Sequence, residues 1–451
     1  MIGAPPARLA PLGAPERAAV LAAIEAAAGA DGGPADAPPW LAWVEKLRRF
    51  ASYHGRRLGP VARERFGADA PAHLEWMAAA LLAGADRHPA RGAAPSDAAT
   101  LSGALYALDA LGSGAGAAPG REAGRRVEAL SRWLLETDGQ PAAEPALGVP
   151  FEYRPGLWAS EAPAARGVVV VSPSRASLLT LVVLDLLARL EVPVAAVVLR
   201  RFTPGRFVEE WRRDGPRLLR KIWRKLVLRA DENAAVTRVS LRGLYRALGV
   251  RDTDVRRAAE RLGARTILVD RLDEAVPALA PLAPRVAVFT GGGLVGQGFI
   301  DAFDLGVING HLGLLPGYKG MDVVQAPLVE GRFDAVGITC HLMALGLDAG
   351  DVLGAFRTDA SGYDDLASLR NELSAVAPLV LVDAMLGLSS GRLRRIVQPE
   401  AGRQFYFLHP RLLGPLDAAL ASRAGEAVDA ERAVRDCLAD PTVVAGPAAR
   451  S

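Results

Sequence analysis

Asn309, His311 and Asp348 are the residues whose types and spacing best suit chemistry. They lie in two segments, GVINGHLGLLPGYKG (306–320) and GITCHLMALGLDAGDVLG (337–354). Asn309 ends a short apolar run and His311 follows two positions later. In an extended chain, residues i and i+2 project to the same side, so an amide and an imidazole leave the end of one strand together. Leu-Leu-Pro then fixes a loop, and Gly-Tyr-Lys-Gly turns it. The second segment predicts a strand with Thr339, His341 and Met343 on one face. It leads into a loop that carries Asp348 among small residues. An amide that donates to an oxyanion, an imidazole that carries a proton and a carboxylate that tunes the imidazole are a set for acyl transfer. Taken singly they are a turn Asn, a structural His and a loop Asp; only their joint occurrence points to a site.

A parallel sheet is the framework that would hold them. At Gly167 the run GVVVV predicts a strand buried on both faces. The loop SPSRAS, a helical stretch over Leu178–Leu190 and a second apolar run at Val194–Leu199 complete a strand–helix–strand unit. Arg200–Arg229 reads as basic, with PRLLRKIWRKLVLR as an amphipathic helix whose arginines face solvent or, alternatively, a phosphorylated or nucleic-acid partner. One helical stretch is expected from Leu241 to Arg261. Strands follow at Thr266–Val269, Val286–Thr290, Gly306–Asn309, Val336–Leu342 and Val352–Phe356, then a long helix from Asp364 to about Leu388. Arg403–Phe407 reads as a late strand or hairpin with a core role, and Cys340 as a buried apolar residue. Open α/β sheets place their sites at the carboxyl ends of the strands, where Asn309 lies.

Before Gly167 the texture differs. Apolar residues recur at helical spacing in Ala18–Ala27, Trp40–Ala51, Ala72–Leu82 and Val127–Leu135, separated by breaks rich in Pro, Gly and Ala. The expected division is a helical N-terminal domain (1–155), an α/β catalytic domain (160–415) and a helical C-terminal tail (416–451). His54, His73 and His88 in the first part read as surface or capping histidines. The N-terminal domain is expected to serve an acceptor or assembly and not the chemistry.

With 451 residues, the chain has length for two or three domains. Hydrophobic residues at 50% and charged residues at 23% exclude a disordered, collagenous or coiled-coil chain. A net charge of +3 gives no indication of a nucleic-acid partner. Two cysteines, Cys340 and Cys437, are too few for a disulfide framework or a cysteine-rich zinc site. The N-terminus lacks the pattern of a signal peptide. The stretch read as most apolar, Thr180–Arg200, is broken by Asp185, Arg189 and Glu191 and does not suit a membrane span. A cytoplasmic protein is the expectation, with no membrane and no metal; nothing here indicates the oligomeric state.

The motif Asn309-x-His311-x-x-Leu314-Leu315-Pro316-x-Tyr318-Lys319-Gly320 resembles the signature of the folate-dependent formyltransferases. Gly337-Ile338-Thr339-x-His341 and Asp348-x-Gly350-Asp351 match the second half of that pattern. The resemblance runs from about Gly167 to Leu413 and is densest over Val286–Phe356. It implies a Rossmann-like fold and transfer of a formyl group from 10-formyltetrahydrofolate to an amine. Asn309 would then bind the formyl oxygen. His311 would stabilise the tetrahedral intermediate and help move a proton. Asp348 would raise the basicity of His311 and accept the proton of the attacking amine. His341 and Thr339 would support them, and Gly291, Gly292, Leu294, Leu345, Gly346 and Leu347 would hold the pterin ring. Asp322 is a candidate for holding the acceptor's amine. Two departures stand out: Gly313 occupies a position usually Ser, and Gly310 one usually apolar, where it is expected to loosen the loop.

The acceptor expected is a small sugar-linked or natural-product amine. Members acting on methionyl-tRNA continue into a C-terminal barrel that is not expected here. Two other classes compete. A formyltetrahydrofolate hydrolase or a non-catalytic folate-binding relative would carry much of the same motif. Gly291-x-Gly293-x-x-Gly296 after a strand fits a dinucleotide fingerprint, the mark of a nicotinamide-dependent oxidoreductase. That fingerprint needs a full crossover helix and an acid about 20 residues on, and the sequence offers neither.

Overall fold

The computed structural model describes residues 9–26, 39–85, 97–112, 118–136, 166–201, 203, 205, 239–291, 293, 295–398, 403–423, 425 and 429–439. Within them, the N-terminal part is helical: α1 (Ala14–Ala26), α2 (Pro39–His54), α3 (Leu58–Phe66), α4 (Ala70–Ala85), α5 (Ala98–Ala110) and α6 (Ala118–Glu136). The sheet part runs β1 (Val168–Ser172), α7 (Leu178–Arg189), β2 (Val194–Arg200), α8 (Leu241–Ala247), α9 (Val255–Arg261), β3 (Arg265–Val269), β4 (Val286–Phe289), β5 (Gly306–His311), β6 (Tyr318–Gly320), β7 (Val336–Leu342), β8 (Val352–Thr358), α10 (Leu366–Ser389), β9 (Arg403–Phe405) and α11 (Asp429–Ala439).

Seven strands form one sheet in the order β3-β2-β1-β4-β5-β7-β8, parallel as far as β5 and antiparallel at β5–β7 and β7–β8. The α/β, mostly parallel, Rossmann-like reading therefore holds, with a helical segment ahead of it. The central strands β1 and β4 are buried along their whole length, which is why they read as continuous apolar runs, whereas the edge strand β3 alternates with exposed Arg265 and Leu268. Val168 and Val170 join the cluster under α7 and α10, whereas Val169 and Val171 join a second cluster with Phe299 and Phe303. Chain order reverses between β1 and β4, the switch point at whose carboxyl ends such sheets place their sites.

Helix starts follow capping chemistry. Ser177 accepts from Thr180 N at α7, and Asp365 accepts from Ser368 N at α10. The core helix is α10, packed on β5, β7 and α7. It is also the one described helix long and apolar enough to cross a membrane, yet 89% of its most apolar window is buried. The helical N-terminal layer is continuous with this core: one apolar cluster runs from Val44, Phe50 and Leu101 through Phe405 and Leu408 to Leu381.

Several elements differ from the sequence reading. Leu241–Arg261 is two helices, because Gly249 turns the chain at φ +66° and Asp254 caps a new start. α5 lay between two loop-like breaks, and its Ala-rich sequence carries little amphipathic pattern; all but its last two residues are buried. β5 continues through His311, because antiparallel β7 supplies partners for Asn309 and His311. Tyr318–Gly320 is a short strand paired with β9, not a turn. His73 is 1% exposed: it stacks on Phe66 and accepts from Leu12 N, so it is neither a surface nor a capping residue. Gly310 tightens where loosening was expected: a Cβ there would lie 3.2 Å from Leu381 Cγ, so its absence lets α10 pack directly on β5. The basic stretch 206–238 and His88 lie outside the described residues.

Candidate active site

The alternation of β5 turns Ile308 and Gly310 toward α10 and Val307, Asn309 and His311 toward the other face. β7 runs antiparallel beside it, with Asn309 opposite His341 and His311 opposite Thr339. Two histidines, an amide and a hydroxyl thereby converge from neighbouring strands. The loop after β7 brings in Asp348, 3% exposed and in the left-handed region at φ 48°.

Asp348 is the hub. Its Oδ2 accepts from Gly320 N at 2.9 Å and lies 3.5 Å from His311 Nδ1. Its Oδ1 lies 3.7 Å from His341 Nε2. His311 Nε2 is 2.8 Å from the Tyr318 carbonyl, which only accepts, so that nitrogen carries the proton and Nδ1 faces the carboxylate. His341 Nδ1 is 2.9 Å from the Leu342 carbonyl, so Nδ1 donates and Nε2 is the acceptor. The Asn309 amide 3.0 Å from that Nε2 therefore presents its NH₂ group. Burial pulls the His341 pKa down to about 4, although Asp348 acts in the opposite direction. A neutral His341 thus fixes which way the Asn309 amide points.

Thr339 Oγ1 donates to the Gly313 carbonyl at 2.7 Å and accepts from Leu315 N at 3.1 Å, which pins the loop below His311. Gly313 is part of this fit, since a Cβ there would lie 2.9 Å from His311 Nε2. Leu345 stands 64% exposed at the start of the Asp348 loop, and Gly346 takes φ 119°. Leu347 closes over Gly320, and Gly291, at the end of β4, abuts Pro173 of the loop after β1. Gly292 and Leu294 lie outside the described residues. Asp322 accepts from Leu408 N at 3.0 Å and lies 3.4 Å from Gln325 Nε2; burial raises its pKa. It ties its loop to the segment after β9. Lys319 has its pKa lowered by burial, against the pull of Asp348.

Two contributors carried no signal in the motif. Gln398 donates to the carbonyls of Asp348 (3.0 Å) and Gly350 (2.5 Å) and holds the Asp348 loop from below. Arg403 forms a two-pronged pair with Glu330, which also accepts from Tyr318 Oη at 3.0 Å. Burial works against the Arg403 charge, but Glu330 and Asp97 outweigh it and raise its pKa. Burial and Glu330 raise that of Tyr318. Both residues are far from the motif in sequence, and only the β6–β9 pairing brings Arg403 close.

The glycine-rich turn does not lead into a dinucleotide-binding helix. A single helical turn, Gln297–Ile300, follows, and β5 starts at Gly306. Gly296 and Gly293 have local reasons: a Cβ at 296 would meet the Asp273 carboxylate, which accepts from Phe299 N, and one at 293 would meet Arg200. A cavity of about 450 Å³ opens elsewhere, between Arg56, Arg63, Asp109 and His409, and none of the sequence-derived site residues lines it.

Residues 246–385 match the family described as formyl transferase, a narrower span than Gly167–Leu413 but one that contains Asn309, His311, His341 and Asp348. The formyltransferase resemblance is thus borne out over that segment. The chain is 36% identical over 132 residues to a methionyl-tRNA formyltransferase of Pseudomonas paraeruginosa, covering 29% of this chain and 42% of that one. It is 32% identical over 136 residues to the methionyl-tRNA formyltransferase of Borrelia garinii subsp. bavariensis, again over 42% of that protein. The chain thus spans less than half the length of these curated relatives. Among solved structures, glycinamide ribonucleotide transformylase 1 from Symbiobacterium toebii aligns at 18% identity and TM-score 0.34, over 54% of this chain and 95% of that one.

Proposed function

We propose that the chain transfers a formyl group from 10-formyltetrahydrofolate to an amine. The observation that carries this reading is the convergence of Asn309, His311 and Asp348 on one face of the β5–β7 pair, inside the segment that matches the formyl transferase family. The folate supplies the formyl carbonyl and a nitrogen leaving group. Asn309 gives one N–H to His341, and its second is available to a carbonyl oxygen as that oxygen gains charge. Asp348 takes the proton of the attacking amine, directly or through water. Asp348 hands that proton to His311 Nδ1, which faces the same carboxylate, and His311 passes it on to the departing nitrogen, so that both side chains end as they began.

The folate suits the residues beside the site. Leu345 offers an exposed apolar surface, and Gly346 leaves the backbone beside it uncovered by a side chain. A flat ring edged with donors and acceptors fits such a wall. Gly291, Gly346 and Leu347, with Gly292 and Leu294, complete the expected pterin contacts. The acceptor we favour is a small sugar-linked or natural-product amine. The division into parts 1–155, 160–415 and 416–451 belongs to the same proposal.

The test is a mass-spectrometric screen of amines, sugar-linked amines and aminoacyl-tRNA with 10-formyltetrahydrofolate, read as gain of one formyl group. Asn309→Ala and His311→Ala should each lower transfer by about 100–1,000-fold while leaving the fold intact. Formate release without any acceptor would favour a hydrolase. Wild-type turnover in either folded variant would remove the assignment.

A further inference from the structure

β6 holds both ends of the proposed proton relay through its backbone. The Tyr318 carbonyl accepts from His311 Nε2, and Gly320 N donates to Asp348 Oδ2. Its partner strand is β9, in parallel register from Tyr318↔Arg403 to Gly320↔Phe405. This two-stranded ribbon is separate from the seven-stranded sheet, so β9 decides where β6 sits.

β9 and the residues after it are held in turn by the N-terminal helices. Arg48 of α2, 2% exposed, donates to the Gln404 carbonyl at 3.0 Å and lies over the Phe405 ring. Ser102 Oγ of α5 accepts from His409 N at 2.8 Å, and Tyr106 Oη donates to the Leu408 carbonyl at 3.0 Å. Tyr53 meets Tyr406 edge to face. Arg403 joins the two layers by charge. It pairs with Glu330, which anchors Tyr318, and lies 3.9 Å from Asp97, the buried cap of α5. The Tyr318 ring stacks on Phe405 at 5.5 Å.

We propose that the helical N-terminal layer is a working part of the catalytic centre, and that Arg403 is the positioning residue through which it sets His311 and Asp348. This replaces the expectation that residues 1–155 stand apart from the chemistry, and it rests on the formyl-transfer reading. Arg403 touches no reacting group. It acts by holding β9 against β6, with one counter-charge in each layer.

The experiment uses the full chain with Arg403→Met, Arg403→Lys and Asp97→Asn; asparagine keeps a capping side chain. Histidine-selective ¹⁵N NMR, with His311 assigned by His311→Gln, reads the ring whatever reaction the protein performs. Calorimetry with 5-formyltetrahydrofolate reads the cofactor site, and formyl release reads turnover. Arg403→Met is expected to move the His311 signals and lower kcat by about 10–100-fold, with folate affinity within about threefold. Arg403→Lys should recover most of both effects. Asp97→Asn should shift the same signals less, and it serves as the deciding variant if Arg403→Met fails to fold. Unmoved His311 signals with wild-type kcat in a folded Arg403→Met protein, or unmoved signals in Asp97→Asn where it decides, would overturn the proposal. If the wild type neither binds folate nor releases formyl groups, the formyl-transfer reading fails, and the NMR arm still decides the positioning role.

Discussion

Acidification should unfold this protein partly through one residue, His341. The ring is 1% exposed, donates from Nδ1 to Leu342 and accepts at Nε2 from Asn309. A proton at Nε2 would set N–H against N–H, and burial lowers the pKa from 6.5 to about 4. Between those values the unfolded chain binds a proton that the folded chain does not. Stability therefore rises with pH through this window; it is whole above pH 6.5 and is lost as pH falls toward 4. At about 1.4 kcal/mol per unit, the loss reaches about 2 kcal/mol at pH 5 and about 3 kcal/mol at pH 4. Urea unfolding followed by tryptophan fluorescence from pH 7.5 to 4.5 measures it, on the wild type and on His341→Asn, whose amide retains a donor for Leu342. With a slope of about 3 kcal/mol per molar, the wild-type midpoint should fall by about 0.7 M more than the variant's between pH 7 and 5. His54, lowered by burial to about 4, and His409, also lowered by burial, titrate in both proteins and cancel in the difference. Parallel acid slopes in the two proteins would refute the assignment of a neutral, load-carrying His341, and with it the orientation given to the Asn309 amide.

Other substitutions test the packing around the relay. Gly313→Ser should cost about 1–3 kcal/mol by overpacking and lower turnover by about 10–100-fold, because the new Cβ falls 2.9 Å from both His311 Nε2 and Val323 Cβ; unchanged melting and turnover would mean the pocket yields. Gly310→Ala presses on Leu381 from the opposite face, so about 1 kcal/mol of stability should go while activity per folded molecule stays at wild type. Gln398→Leu leaves the Asp348 and Gly350 carbonyls without their donor, a cost of about 1–3 kcal/mol, and hydrogen exchange across 345–350 should quicken.

The strands β1, β2 and β4 were legible because a strand buried on both faces writes its own apolar run. Asn309, His311 and Asp348 were legible as a set because their spacing fits two strand ends and a loop. What the sequence hid is what depends on partners distant along the chain. Nothing local marks Tyr318–Gly320 as a strand, since its partner lies at Arg403–Phe405. α5 is apolar nearly all round, so it lacks the periodicity that identifies a surface helix. Gly310 looked like a loosening residue because its neighbour Leu381 arrives from a helix about 70 positions on. Gln398 and Arg403 act through carbonyls and carboxylates that no spacing rule connects to them.

The β6–β9 ribbon also sets an order of events during synthesis. Its clamp joins Arg48 to Gln404 across 356 positions and Tyr106 to Leu408 across 302. Such distant pairings form late, after loop closure over most of the chain. Asn309, His311 and Asp348 leave the ribosome well before β9 does, and until β9 docks between β6 and the helices their supports are absent. A nascent chain carrying the whole motif would thus lack the supports of these residues, which would arrive in one late step when β9 docks between β6 and the N-terminal helices.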